Sequence, residues 1–259
     1  MDIDRVYREL DWFSKHKVEF IFCCDANFGM LPRDYEIAKR AAENKKKYGY
    51  PHVLSVQNTK NARERAYKVQ KLLAESGLSK GVTLAMQSID PHTLKIIKRD
   101  NISIDAFKDI NAQLSKDGRN GNGEVIVPLP GETLETYLEG IRDLIDSRVQ
   151  IVLSYTLLVI HGTPYKDDSQ YVKDWGYKMK WRVIPNQFGT YGGKKIFDFE
   201  QVAIESKDMP FSDYLLIRDF ALITELAYNA NVFGEILKYL REMEISPFDW
   251  LWLIYNNIY

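Results

Sequence analysis

Five short apolar runs punctuate the first two thirds of the chain, and a stretch with apolar residues at helical spacing precedes each of them. That periodicity restricts the fold to a sheet with crossover helices. Val6, Leu10 and Phe13 recur at helical spacing, with Asp2 or Asp4 placed to cap. Val18 to Cys23 follows as a buried strand, then Arg33 to Tyr48 as a helix stopped by Gly49 with Pro51 just beyond. The cycle repeats with His52 to Val56 as strand, Ala62 to Ser76 as helix ended by Gly77, and Val82 to Met86 as strand. Pro91 to Ile97 and Ile104 to Lys116 read as helices, and the turn-rich patch Asp117 to Gly123 as a loop. Glu124 to Leu129 is the next strand, Leu134 to Ser147 a helix, and Gln150 to Val159 a long final strand.

Successive right-handed crossovers curl such a sheet into a barrel or part of one, whose working face is the end where strands run into the following loops. The expected class is therefore α/β, a partial (β/α) TIM-like barrel. A doubly wound open sheet gives the same alternation, but its Gly-rich phosphate fingerprint is missing from the sequence. Polar residues follow each strand: Asp25 and Asn27 after the first, Gln57 and Asn58 after the second, Gln87 and Ser88 after the third, Glu132 after the fourth, with Tyr155 and His161 on or after the fifth. Beyond Pro164 the pattern changes. Asp167 to Gly193 is aromatic and polar with Gly-Gly and Pro-Asn breaks, Ile196 to Ile204 suits a strand, and Asp213 to the end is helical and aromatic-rich. The division expected is 1–164 as the barrel core and 165–259 as a small mixed or helical C-terminal cap.

The 35 basic and 36 acidic side chains nearly cancel, so no global field points to nucleic acid. The run Lys45-Lys46-Lys47 reads as the solvated end of a helix. The only cysteines, Cys23 and Cys24, are adjacent, a spacing that suits neither a disulfide framework nor the separated ligands of a metal site. Within a strand their side chains point to opposite faces and cannot converge on one metal centre. No apolar signal core opens the sequence and no run of about twenty apolar residues occurs, so the expectation is a cytoplasmic protein without a membrane or nucleic-acid partner.

Phe20-Ile21-Phe22-Cys23-Cys24-Asp25-Ala26-Asn27-Phe28-Gly29, Gln57-Asn58-Thr59-Lys60-Asn61, Thr83-Leu84-Ala85-Met86-Gln87-Ser88, Ile97-Lys98-Arg99-Asp100-Asn101-Ile102 and Leu129-Pro130-Gly131-Glu132-Thr133 are five ordered motifs at barrel-like spacing. Together they resemble the radical S-adenosylmethionine (SAM) superfamily, and more closely its members with an N-terminal cobalamin-binding domain, from about residue 2 to residue 164. The resemblance implies an enzyme in which a four-iron, four-sulfur (4Fe-4S) cluster reduces SAM to give a 5′-deoxyadenosyl radical, or performs cobalamin-dependent radical methylation. It also implies an electron donor such as ferredoxin or flavodoxin and a small-molecule or peptide substrate. The superfamily's Cys-x-x-x-Cys-x-x-Cys loop is not in this sequence, so no metal ligand is assigned. The family places that loop directly ahead of the helix at Val6 to Phe13. The implied product is therefore longer and N-terminally truncated here, or a cluster-free homologue that binds SAM or a partner without catalysis.

By the same resemblance, Asp25 and Asn27 face the ammonium end of the methionine moiety, though Asn27 and Gly29 equally suit turn chemistry. Gln87 and Ser88 fall where the family contacts the ribose or carboxylate of SAM, with Ser88 also able to start a helix cap. Arg99 suits a forked salt bridge to a carboxylate, or a surface position. Pro130 lies on the turn against which adenine packs, braced by Glu132, while Pro128 stands where a glycine is more usual. Tyr155 and His161 are substrate-contact candidates or packed core residues. Trp250 and Trp252 read as core or docking surface. An aldolase-like barrel would instead need a buried lysine, and Lys60 and Lys98 lie past strand or helix ends in charged company.

Overall fold

The computed structural model describes residues 2–57, 63–79, 81–99, 101 and 120–258. The motif positions 58–61 with Lys60, the helix expected over 104–116, positions 100 and 102, and the start of the turn-rich patch lie outside them. The chain divides into two compact units, Met1–Met86 with Arg99–Gly123 and Ser147–Ile151, and Gln87–Lys98 with Glu124–Asp146 and Val152–Tyr259.

In the first unit α1 (Ile3–Lys15) begins at Asp2, whose carboxylate accepts from Asp4 N at 3.0 Å. β1 (Phe20–Phe22) and β2 (Val53–Ser55) pair in parallel, Phe20 opposite Val53 and Phe22 opposite Ser55. α2 (Pro32–Tyr48) starts on proline, whose missing N–H is not needed there. Asp34, buried in the first turn, accepts from both Gly29 N and Leu31 N at 2.9 Å. Gly49 ends the helix with φ 78°, a left-handed backbone that glycine adopts without a Cβ clash. α3 (Arg63–Glu75) packs on α2. The core is Leu10, Phe28, Ile37, Ala38, Leu54, Val69 and Leu73 with their neighbours, and Ile21 and Cys23 pack against it.

Three expectations change here. The strand is Phe20–Phe22 rather than Val18 to Cys23, so the cysteines follow it instead of lying inside it. Cys23 N still donates to Ser55 O at 2.9 Å, and the alternation persists, with Cys23 half-buried and Cys24 exposed. Lys45 is not simply solvated: its Nζ donates to His52 O at 3.0 Å and Gly77 O at 2.5 Å, joining two turns, whereas Lys46 and Lys47 are exposed. The patch 120–123 is not loop. β4 runs Asn120–Val127, Gly121 and Gly123 are buried, and Gly121 O accepts from Gln150 N at 3.2 Å, so backbone pairing overrides local turn preference.

β3 (Gly81–Gln87), β4 and β5 (Ile151–Thr156) form a sheet in that order, and among the described residues it is not paired with β1–β2, so the strands make a partial rather than a closed barrel. In the second unit α4 (Pro91–Ile96) is capped by Asp90, which accepts from Thr93 N at 2.7 Å. α5 (Leu134–Asp146) buries Tyr137, Ile141, Leu144 and Ile145. Past β5 the chain changes partner: Leu157 N donates to Val127 O at 2.8 Å, while Val159 N donates to Gln201 O and Ala203 N to Leu157 O. Two short helices, α6 (Pro164–Asp167) and α7 (Ser169–Asp174), lead into a long antiparallel hairpin of β6 (Lys178–Tyr191) and β7 (Lys194–Glu205). Its tip is Gly192-Gly193, φ 55° and 77°, the two-residue turn whose twist matches paired strands. The hairpin adds a strand, Lys178–Tyr191, to the one expected over Ile196 to Ile204 in this mixed region. Its apolar residues Trp181, Val183, Phe197 and Phe199 are exposed.

α8 (Phe211–Ile223) passes into a π-helical turn, Thr224–Asn229, followed by α9 (Gly234–Glu242) and α10 (Pro247–Ile258). Trp252 stacks with Phe248 and meets Phe220 at 5.3 Å between ring centroids, and Trp250 meets Phe233 at 5.6 Å, so both tryptophans serve packing. The outer edge of β5 is covered by side chains. Asn229 accepts from Val152 N at 2.8 Å and donates to Val152 O at 2.9 Å, and Arg218 donates to Ser154 O at 3.2 Å. Asn229→Leu leaves both Val152 backbone groups without these partners and is expected to lower stability by about 2 kcal/mol. A urea midpoint equal to that of the parent chain would refute this.

Candidate functional site

In the first unit the loop leaving β1 is held at its far end and open at its near end. Phe28, 2% exposed, sits in the core, and its N–H donates to Gln57 O at 2.9 Å. Arg65 donates to Met30 O. A Cβ on Gly29, φ 94°, would lie 3.1 Å from Ala66 Cα, so glycine permits the close approach to α3. These anchors leave Asp25, Ala26 and Asn27 exposed just past the strand. Asp25 Oδ1 accepts from Asn27 N at 2.9 Å, an Asx turn that uses one carboxylate oxygen.

Arg99, in the same unit, is half-buried. Its Nε donates to Asn101 Oδ1 at 3.1 Å, and Asn101 Nδ2 donates to Met86 O at 2.9 Å, fixing the guanidinium relative to the end of β3. Burial pushes Arg99 down to about 10, which leaves it cationic at neutral pH and poorly hydrated, a condition that strengthens its attraction for a carboxylate. It is therefore not the freely solvated surface arginine.

The second unit brings together the ends of β3 and β4. Gln87 has φ 60°, a left-handed conformation rarely adopted by a side-chain-bearing residue and one that recurs at ligand sites. Ser88 Oγ donates to Glu132 Oε1, and accepts from Asp90 N at 3.1 Å, so it joins the strand-end pair and the approach to α4 at once. Glu132 is 2% exposed, and its Oε2 has no hydrogen-bond partner. Burial pushes its carboxyl up to about 8, against the opposing effect of Ser88 and with a small push from Asp90, so it carries a proton at neutral pH. Pro130 is buried, and Gly131, φ 80°, turns the chain where a Cβ would meet Ile96 Cδ1 at 2.4 Å.

Tyr155 is 47% exposed on β5, which removes the packed-core reading for it. His161 is also exposed. Its Nδ1 lies 3.2 Å from Asp167 Oδ1, and Asp167 Oδ2 accepts from Gly162 N at 2.5 Å, so the group forms a local turn. Lys98 is exposed at φ 53° and offers no buried amine for a Schiff base. Sequence reasoning missed Asp34, Asn101, Tyr177 and Asp208. Asp34 was within reach, since an acidic residue in the first turn after Pro32 is a helix-start signal. The contacts of Tyr177 and Asp208 are long-range and leave no local mark.

The partial barrel shares its fold with a radical SAM enzyme. Over 71% of its length the chain superposes on the radical SAM methyltransferase TsrM from Kitasatospora setae, covering 36% of that chain with a TM-score of 0.51 at 12% identity, a likeness of fold. In sequence the chain is similar to cobalamin-dependent radical SAM methyltransferases. It is 36% identical over 144 residues to TokK of Streptomyces tokunonensis, and 35% identical over 146 residues to a 2-(S-pantetheinyl)-carbapenam-3-carboxylate methyltransferase of Streptantibioticus cattleyicolor. Each match spans 56% of this chain and 21% of the relative, so the chain corresponds to about a fifth of those proteins. No protein-family profile matches it.

The residues present fit SAM but not a cluster. A methionyl nucleoside offers an ammonium group, a carboxylate and a flat base. In the first unit Asp25 and Arg99 supply an acceptor and a poorly hydrated cation, and in the second unit, taken by itself, Glu132 Oε2 is a buried polar atom without a hydrogen-bond partner. A 4Fe-4S cluster needs several converging thiolates, whereas Cys23 and Cys24 diverge and no group of three metal-ligating side chains occurs among the described residues. None of the described helices is long and apolar enough to cross a membrane.

Proposed function

We propose that this chain is the SAM-binding part of a cobalamin-dependent radical SAM methyltransferase. The sequence match to such methyltransferases carries this reading, and the side chains at the strand ends support it. SAM, when bound, supplies the sulfonium chemistry of the class. In this reading Asp25 and Asn27 hold its ammonium group and Arg99 its carboxylate. Gln87 and Ser88 meet the ribose, and the turn at Pro130 packs on adenine with Glu132 bracing it. Residues 1–164 then form the core and 165–259 a cap. Tyr155 and His161 would contact a substrate, a small molecule or peptide. The cluster, the cobalamin and an electron donor such as ferredoxin or flavodoxin are then groups for which this chain supplies no assigned ligand.

The runner-up reading is a cluster-free homologue that binds SAM without catalysis. Both readings require the same first property. Titration of the chain with S-adenosylhomocysteine is expected to give saturable one-to-one binding, weakened about tenfold in Arg99→Ala through loss of the carboxylate contact. Absence of saturable binding would overturn both.

A further inference from the structure

The turn Pro128-Leu129-Pro130-Gly131 is gripped at both ends by residues that flank the base of the β6–β7 hairpin. Tyr177, immediately before β6, donates from its hydroxyl to Pro128 O at 3.4 Å. Asp208, just after β7, accepts from Gly131 N through Oδ2 at 3.2 Å. Between these two points the turn contains Pro130, which has no N–H, so the clamp holds one backbone group at each flank. The hairpin base is itself fixed. Ser206 N donates to Met209 O at 2.9 Å, Lys207 N donates to Trp175 O at 2.9 Å, and the Lys207 ammonium lies 3.8 Å from the centre of the Trp175 ring. Leu129, Leu157, Tyr177 and Ala203 form one buried cluster beneath, with Tyr165, Trp175 and Met179 packed on it. Tyr177 is buried to 7% exposure, and burial pushes its phenol far above the usual range, so it stays a neutral donor. A turn of two prolines and a positive-φ glycine has few internal hydrogen bonds of its own. Its shape is therefore set by what holds its flanks.

We propose that Tyr177 and Asp208 are positioning residues, by which the base of the β6–β7 hairpin sets the geometry of the Pro128–Gly131 turn for the adenine of SAM. The inference rests on the SAM-binding reading above and deepens it. The hairpin is then part of the cofactor site, acting from the region beyond the barrel core. Neither residue touches SAM in this account.

The test compares the 259-residue chain with Tyr177→Phe and Asp208→Asn, titrated with S-adenosylhomocysteine and with 5′-deoxyadenosine, which shares the adenine but lacks the amino-acid end. Each variant is expected to weaken both ligands by the same factor, about three- to tenfold, with a melting temperature close to that of the parent. Equal weakening of both places the effect at the nucleoside. Loss of S-adenosylhomocysteine alone, or unchanged binding of both ligands, overturns the inference while leaving the SAM reading intact. Failure of the parent chain to bind either ligand overturns the SAM reading, and the inference with it. Should Asp208→Asn prove unstable, Tyr177→Phe, which removes one hydroxyl from a filled site, decides the matter alone.

Discussion

Glu132→Gln is expected to flatten the fall in stability between about pH 5 and pH 9. In the unfolded chain a glutamate loses its proton near pH 4.3, whereas the buried carboxyl keeps its proton until about pH 8. Between those values the folded state binds more protons than the unfolded state, so stability is greatest below the unfolded value and is lost as pH rises through the folded one. Glutamine retains an acceptor for Ser88 and never ionises. Near pH 5 the two proteins should have similar urea midpoints, and near pH 9 the glutamine variant should be the more stable by about 2 kcal/mol, a discounted share of the 1.4 kcal/mol per pH unit that linkage allows. Parallel curves across this range would show that Glu132 is ionised in the folded state at neutral pH.

Phe28→Ala is expected to have the largest effect on the first unit. The ring is 2% exposed in the core with Leu10, Ile37 and Val69, and removing it leaves a cavity costing about 3 kcal/mol. The same ring anchors the loop that carries Asp25 and Asn27, so S-adenosylhomocysteine binding should weaken along with the midpoint. Rescue by Phe28→Leu, which refills most of the volume, would separate anchoring from any specific aromatic role. A variant as stable as the parent would place Phe28 outside the core.

The helices were legible because their ends are written locally. Gly49 ends α2 and Asp2 caps α1 as their residue types indicate, whereas α2 starts at Pro32, one residue ahead of the expected Arg33, and α4 is capped by Asp90 rather than Ser88. Strand existence was legible from apolar runs, but strand extent was not. Asn120 to Gly123 favours turns in isolation and becomes strand through its neighbours in the sheet. The hairpin had a readable signal that the Pro-Asn break obscured. Lys178 to Val183 alternates polar and apolar at period two, and Gly192-Gly193 is a two-residue turn. A bulge between Val183 and Phe188, with Asn186 at φ 63°, absorbs the break without ending the ribbon. At the candidate site the residue types were legible and their partners were not. Ser88 and Glu132 meet across 44 residues, and Gly131 and Asp208 across 77, separations that no local pattern encodes.

An outer strand usually invites company, because its unpaired amides and carbonyls suit any extended peptide that drifts alongside. On β5 the carboxamide of Asn229 imitates such a visitor, filling the donor and acceptor of Val152 together, and Arg218 occupies Ser154 O. Growth of the sheet in that direction would first require a helix to withdraw two side chains, so this rim resists fibril seeding by a helix that acts as a permanent decoy strand.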